Sequence, residues 1–514
     1  MQSRKKTSSS INTLKNIGKL IQTLRQEKGI TQSEFAERLK TTQSAVARIE
    51  KGQQNPSAVM LSRINKALGS DVVGISQGRL NIKVTGRKKL RGSIVTKSSK
   101  NGAVGLLCAS LLNHGQTTLE NVPRIEEVFR IIEVMESIGA SVTWQEKNLH
   151  IVPPKTFTMD KINRDSATKT RSVLMFIGSL SNRMNSFSLP RAGGCKLGSR
   201  SVKPHVYCLE EMGIKIKSSK SEHDYLISYK KRKAREIVLY ESGDTVTENA
   251  LMAASGIEGV TTIKYASANY QVQDLCFYLE KIGVKIEGIG TTTLKVYGIK
   301  HIDKDVSFAI SEDPIESMFF ISAAILTDST LTIERAPINF LELELYKLKK
   351  MGLRYSLSKK YKAINGKTDL CDITVKPSKL KALAEKIEPR PYPGLNIDNL
   401  PFFAVIATKA EGQTFIHDWV FEERAIYYKE LDKLGAETLL ADPHRVYING
   451  KTPLLANEVI CPPALRPAAI ILIGMLGASG TSVLRNIYSI NRGYEDVINR
   501  LNKAGAQISV ISDL

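Results

Sequence analysis

The sequence predicts an α/β body of six repeated units preceded by a small all-α helix-turn-helix module. Three observations predict this. A helical phrase ending in glycine recurs six times after residue 80, at spacings of 74, 70, 69, 83 and 70 residues. Each unit also carries an earlier helix made of small and apolar residues. Ahead of residue 80 lies a run of short, capped helices in which positive charge is concentrated.

The chain has 514 residues, more than a single simple core usually supports, so two or more domains are expected. Its 42% hydrophobic and 24% charged residues are those of an ordinary globular protein. Met1–Asn12 is basic and Ser-rich with no apolar stretch behind it, unlike a secretory leader. Ala468–Leu476, the most apolar stretch, is interrupted by Gly474 and is too short to span a bilayer. A cytoplasmic location without membrane contact is therefore expected. The six cysteines show no CxxC pairing or regular spacing, which argues against a disulfide framework or a structural zinc. The net charge of +22 points to polyanionic partners. Residues 1–79 hold 14 Lys and Arg against 5 Asp and Glu, a concentration that a generally basic composition does not explain.

Residues 1–13 read as a basic, flexible tail and 14–70 as the helical module. Leu14, Ile17, Leu20, Ile21 and Leu24 form a 3.6-period stripe that stops at Gly29. Thr31-Gln32-Ser33-Glu34 is a capping box opening a short helix that contains Phe35, Ala36 and Leu39. After a tight turn, Thr42 caps a second short helix with Ala45, Val46 and Ile49 inward. Gly52 ends it, and Pro56-Ser57 starts another helix. In helix-turn-helix geometry the second helix enters the major groove. Its outward residues would be Gln43, Ser44, Ala47 and Arg48, with Gln32 placed near a phosphate. The segment TQSEFAERLKTTQSAVARIEKGQQNPS resembles the phage-repressor-type family, including its I-E-x-G-x-x-x-P close. That resemblance implies DNA as partner, with Gln32, Thr42, Gln43, Ser44 and Arg48 as contacts, and a homodimer on two half-sites. Residues 71–80, with two glycines and no helical period, read as a linker.

From residue 81 to 514 the units take over. The glycine-ended phrases are Glu136-Ser-Ile-Gly139, Glu211-Met-Gly213, Lys281-Ile-Gly283, Lys350-Met-Gly352, Lys433-Leu-Gly435 and Lys503-Ala-Gly505. Glycine just past a last helical turn is the expected stop. The earlier helices fall at Ala103–Leu112, Ser172–Leu180, Ala250–Ile257, Met318–Leu326, Pro401–Ala407 and Pro467–Leu476. Their small residues permit close packing, so they are expected at the buried centre. Gly-x-Thr phrases (Gly115, Gly259, Gly412) and the related Gly480-Thr-Ser turn the chain into strands. A period near 70 residues exceeds solenoid repeats and fits a β-α-β-α-β-β unit.

Basic residues recur at corresponding places in these units: Lys100 with Asn101, Arg171 and Arg466 at starts of the inner helices, and Arg200, Arg424 and Arg492 before the outer ones. Helix N-termini already favour anions, and added cations build a site for a small, multiply charged one. Arg191-Ala-Gly-Gly-Cys195-Lys-Leu-Gly-Ser-Arg200 is a glycine-rich loop with backbone free to approach a ligand. Lys196 and Arg200 favour the Cys195 thiolate, making it a competent acid–base or nucleophile. Cys108, Cys208 and Cys276, each in an apolar helical context, read as inert.

SKNG (99–102), TRS (170–172), GGCKLGSR (193–200), TENALMAA (247–254), PGLNIDN (393–399), FEER (421–424), LRPAA (465–469) and INRGYE (490–495) then resemble the UDP-N-acetylglucosamine 1-carboxyvinyltransferase family of enolpyruvyl transferases, in order and spacing. The resemblance implies a two-globule, inside-out α/β barrel with its site in the cleft between globules. It implies phosphoenolpyruvate and UDP-N-acetylglucosamine as substrates, with no metal or organic cofactor. Lys100, Arg171, Arg200, Arg466 and Arg492 would hold phosphoenolpyruvate. Cys195 would act as general acid and can form a covalent adduct, and Asp398 would help deprotonate the sugar hydroxyl. Lys100 would share in the catalysis, and Asn101 and Arg424 in substrate binding.

The family pattern is not fully kept. Its Asp-Leu-Arg reads Ala464-Leu465-Arg466, its Pro-Val-Asp reads Ser201-Val202-Lys203, and its Arg-Glu-Pro-Glu reads Ala268-Asn-Tyr-Gln271. Glu241 stands where a basic residue is expected in the nucleotide pocket. Two alternatives follow from these departures: another hydroxyl acceptor, or a silent regulator that senses a cell-wall precursor.

Overall fold

The structure, a computed structural model, describes residues 18–19, 21–26, 28–54, 56, 60, 63–64, 67–68, 80–191, 193, 201–219 and 223–511. The basic tail, Leu14, Ile17, Leu20, Ser57, most of the linker, Cys195, Lys196 and Arg200 lie outside them.

In the N-terminal module the capping chemistry sets the helices. α1 (Gln32–Leu39) opens at Thr31, whose side chain accepts from the Glu34 amide while the Glu34 carboxylate accepts from the Thr31 amide at 2.8 Å. α2 (Gln43–Glu50) opens at Thr42, whose hydroxyl accepts from the Ala45 amide at 3.2 Å. Ile21, Phe35, Leu39, Val46, Ile49, Ile64 and Leu68 form the module's own core. Beneath it, Glu50 accepts from Arg25 Nε at 2.5 Å, and the same Arg25 donates to the Ile30 carbonyl. This buried pair ties the first helical segment to the end of α2 and gives the glutamate of the I-E-x-G phrase a structural task.

Two further cores divide the rest. One is built from residues between Ala103 and Ile310, and the other from residues 315–508 together with Ile82, Val84, Leu90, Ile94 and Tyr270. Each globule has three sheets. The four-stranded sheets share one pattern, a parallel pair continued by antiparallel strands: Val306–Ala309 runs parallel to Thr117–Glu120, and Glu458–Ile460 parallel to Thr481–Arg485. The first strand of the body, Asn81–Thr85, lies between Thr481–Arg485 and Gln507–Ile511 and so belongs to the C-terminal globule. The chain therefore crosses between globules twice. The crossings run side by side, with the Ser99 amide donating to the Ser311 carbonyl at 2.8 Å.

The inner helices are α3 (Lys100–Ser110), Arg171–Leu180 and Asp244–Ser255 in one globule, and Pro314–Leu326, Leu400–Ala407 and Leu465–Gly477 in the other. Nearly every residue in them is buried. Arg171–Met175 is 3-10 rather than α, with Thr170 capping it at Ser172. The outer helices, among them α4 (Glu126–Ser137), end at the six expected glycines. All six have positive φ, from +87° at Gly435 to +107° at Gly139 and Gly505. A side chain there would strain the backbone, which is why glycine marks the period. Cys108, Cys208 and Cys276 are buried in this packing, and burial pushes all three thiols up, Cys208 to about 12. No helix among the described residues is long and apolar enough to cross a membrane.

Candidate active site

α3 starts where it does because the Ser99 hydroxyl accepts from the Gly102 amide at 3.0 Å, which puts Lys100 and Asn101 in its first turn. Opposite, from the C-terminal globule, come Arg466 in the first turn of Leu465–Gly477, Arg492 just after Tyr488–Asn491, and Asp398 just before Leu400–Ala407. Arg466 donates to Asp398 Oδ2 at 3.1 Å and to the Tyr494 hydroxyl at 2.8 Å. Arg492 grips Glu127 of α4 with two nitrogens, at 2.9 and 2.8 Å, and Thr170 donates to the other Glu127 oxygen at 2.6 Å. That bidentate pair spans the two globules.

Burial lowers the Lys100 ammonium below its usual range; Glu127 opposes this, Arg492 and Arg466 add to it, and Asp398 opposes it. Burial works to raise the Glu127 carboxyl, but Lys100 and Arg492 outweigh it and hold it at about 2. The same contest, won by Arg466 and Arg424, keeps Asp398 below the ordinary carboxylate range. Asp313 goes the other way: burial raises it to about 6 against the pull of Arg466, with Glu316 adding to the rise. A lysine, two arginines and two ionised carboxylates thus face one another in the cleft, and a small anion entering there would meet three cations.

Residues 84–501 match the family model of EPSP synthase (3-phosphoshikimate 1-carboxyvinyltransferase). The chain belongs to this family of enolpyruvyl transferases. The transferase domain is 32% identical over 430 residues to a UDP-N-acetylglucosamine 1-carboxyvinyltransferase of Treponema denticola, covering 83% of this chain and 98% of the relative. A protein of the same name from Bradyrhizobium diazoefficiens is 31% identical over 438 residues, covering 84% and 98%. In fold the domain is similar to the enolpyruvyl transferase NikO of Streptomyces tendae, with a TM-score of 0.73 at 22% identity over 85% of this chain and all of that one. An EPSP synthase of Acinetobacter baumannii gives 0.67 at 18% identity, over 84% and 100%. Residues 21–75 match a helix-turn-helix family.

Of the expected site residues, the transferase cleft brings together Lys100, Asp398, Arg466 and Arg492. Asn101 lies one residue on and donates to the Tyr270 hydroxyl at 3.1 Å. Arg424 is held mainly from within its own globule. It is fully buried, and Asp418 occupies two of its nitrogens at 2.6 and 2.8 Å. The third, Nη1, is buried without a hydrogen-bond partner 3.9 Å from Asp398 Oδ1, and its charge helps to keep Asp398 ionised. Arg171 donates to the Ser201 carbonyl at 2.8 Å, at the end of the Cys195 loop. With burial, its charge pushes His205 down to about 3. At the other end of that loop, a Cβ on Gly193 would lie 1.9 Å from the Thr168 carbonyl oxygen, so only glycine fits there. Ala464 caps its helix without a side-chain bond and is buried, Lys203 and Glu241 are exposed. Glu127 and Tyr494 were not anticipated as site residues. A glutamate in a helix's first turn looks like a dipole partner, and only the closure of the second globule reveals its arginine.

The recognition residues of the N-terminal module also depart from expectation. Gln43 is exposed and donates to Gln32 Oε1 at 2.7 Å; Gln32 in turn donates to Glu50 at 2.8 Å, so it belongs to the module's internal network. Arg48 does not face outward: it is 6% exposed, with its guanidinium 5.8 Å from the centre of the Phe129 ring on α4. Thr42 and Ser44 donate to Glu136 of α4 at 3.2 and 2.7 Å. The transferase domain covers the outward face of α2 at Thr42, Ser44 and Arg48, while Gln43 on the same helix stays exposed.

Proposed function

We propose that this chain transfers the enolpyruvyl group of phosphoenolpyruvate to the 3′-hydroxyl of UDP-N-acetylglucosamine, releasing phosphate in a step of peptidoglycan precursor synthesis, and that its N-terminal module binds DNA. The observation that carries the first part is the convergence of Lys100, Arg466 and Arg492 on one cleft beside the ionised Asp398. The names of the relatives at about 30% identity support the acceptor.

In this reading the three cations take the phosphate and carboxylate of phosphoenolpyruvate, with Arg171 and Arg200 contributing from the Cys195 loop. Asp398, held ionised by Arg466 and Arg424, orients the sugar hydroxyl and accepts its proton as the oxygen bonds to C2. Cys195 delivers a proton to C3. The tetrahedral phosphoketal then breaks its C–O bond to phosphate and returns a proton from C3 to the Cys195 thiolate, which restores the vinyl ether. Preorganised arginines stabilise the charge leaving on phosphate.

The test is phosphate release by the purified protein supplied with both substrates, with Cys195→Ser alongside. Release that requires both substrates and collapses by two or more orders of magnitude in the variant is the expected result. Bound phosphoenolpyruvate without release would overturn the acceptor assignment. Neither binding nor release would overturn the enzymatic reading altogether.

A further inference from the structure

α4 belongs to the transferase domain, yet one of its faces serves the N-terminal module. Glu136 accepts from Ser44 and Thr42 and lies 3.7 Å from Arg48 Nη1. One turn earlier Glu133 accepts from Gln54 at 3.2 Å, and Gln54 accepts in turn from Arg48 Nε at 3.1 Å. Arg63 adds a pair with Asp165 at 3.7 Å. A hydroxyl pair, an amide and a guanidinium of the recognition helix and its flank therefore all meet carboxylate oxygens. Phosphate oxygens and base-edge acceptors would engage the same donors in a DNA complex. The geometry points to α4 as an intramolecular stand-in for DNA: the acidic face at Glu133 and Glu136 occupies the DNA-reading side of α2, and the module binds DNA only after leaving it.

Two features support competition over simultaneous binding. The recognition helix must enter a major groove about as wide as itself, which leaves no room for a packed helix on the same side. Glu133 and Glu136, the carboxylates that meet the module, would also be brought against the phosphate backbone, like charge on like. The twelve peptide steps from Leu68 to Leu80 have a maximum reach of about 40 Å, enough tether for the module to step off α4.

The inference rests on the module being a DNA binder, and the experiment separates the two. Short random-sequence duplex DNA is titrated into the full chain at low salt and read by fluorescence anisotropy. The proteins are wild type, Glu133→Gln/Glu136→Gln, and a control of equal charge change on the exposed residues Glu411 and Glu437 of the other globule, Glu411→Gln/Glu437→Gln. Melting temperatures verify that all three are folded. The expected result is affinity about tenfold or more tighter in the α4 variant and unchanged in the control, because the fraction of competent module rises. Equal tightening in both variants would show a charge effect only and overturn the proposal. Measurable wild-type binding that the α4 variant does not change would overturn occlusion and leave DNA binding standing. No binding by any of the three would overturn the DNA reading, and this inference with it.

Discussion

Glu127 shows how a single carboxylate can hold two globules together. It is 4% exposed and receives two nitrogens of Arg492 and the Thr170 hydroxyl. Glu127→Gln keeps the shape and removes the negative charge that Arg492 and Lys100 face. A loss of about 3 kcal/mol is expected from breaking such a pair, read as a lower urea midpoint. Its pH dependence has a definite sign. The folded carboxyl sits at about 2, below the value near 4.5 of an unfolded glutamate, so its contribution is complete above pH 4.5 and disappears as pH falls toward 2. The gap between wild type and variant should close over that window. A gap that stays constant from pH 5 to pH 3 would show that the ion pair is not its source.

At the scale of the element, the outer-helix glycines were legible in the sequence because backbone geometry at a helix end is local. Gly283 has φ +105° and an added Cβ would meet only Ile299 Cδ1 at 3.8 Å. Gly283→Ala should therefore cost about 1 to 2 kcal/mol, from the left-handed backbone alone. Gly213 has φ +91° but faces the Lys231 carbonyl oxygen at 2.6 Å, and Gly213→Ala should cost more. Equal losses in denaturant titrations would mean that the backbone term dominates both sites. The inner helices were legible for a related reason: beyond Arg466, Glu316 and two serines, Leu465–Gly477 and Pro314–Leu326 are apolar on every side, and a helix without a polar face is buried. Arg171–Met175 becoming 3-10 was not legible, since its cap at Ser172 comes from a Thr170 hydroxyl that also donates to Glu127, far along the chain.

Across the whole molecule, α4 touches both proposed sites. Its first turn places Glu127 on Arg492 and its last turns place Glu133 and Glu136 on the N-terminal module. Phosphoenolpyruvate seated on Arg492 would use the donors that now hold Glu127, which loosens one end of the helix on which the module rests. DNA affinity should then rise several-fold in the presence of phosphoenolpyruvate, and by linkage DNA should tighten phosphoenolpyruvate by the same factor. Anisotropy with and without phosphoenolpyruvate measures the first and calorimetry with and without DNA the second. Identical affinities in all arms would show the two ends of α4 to be uncoupled.

The sequence by itself determined the six units, their inner and outer helices, the capped helices of the N-terminal module and the cationic identities of Lys100, Arg466 and Arg492. Each is written in local periodicity, a cap, a glycine or a motif. Only the tertiary structure decided what those side chains meet. Arg424 acts on Asp398 by its charge because Asp418 claims its hydrogen bonds, Glu127 becomes the clamp because the globules close on it, and Arg48 is covered because α4 lies over its face. These partners lie between six and several hundred residues apart, and no local pattern encodes a charge's counterion across such a distance.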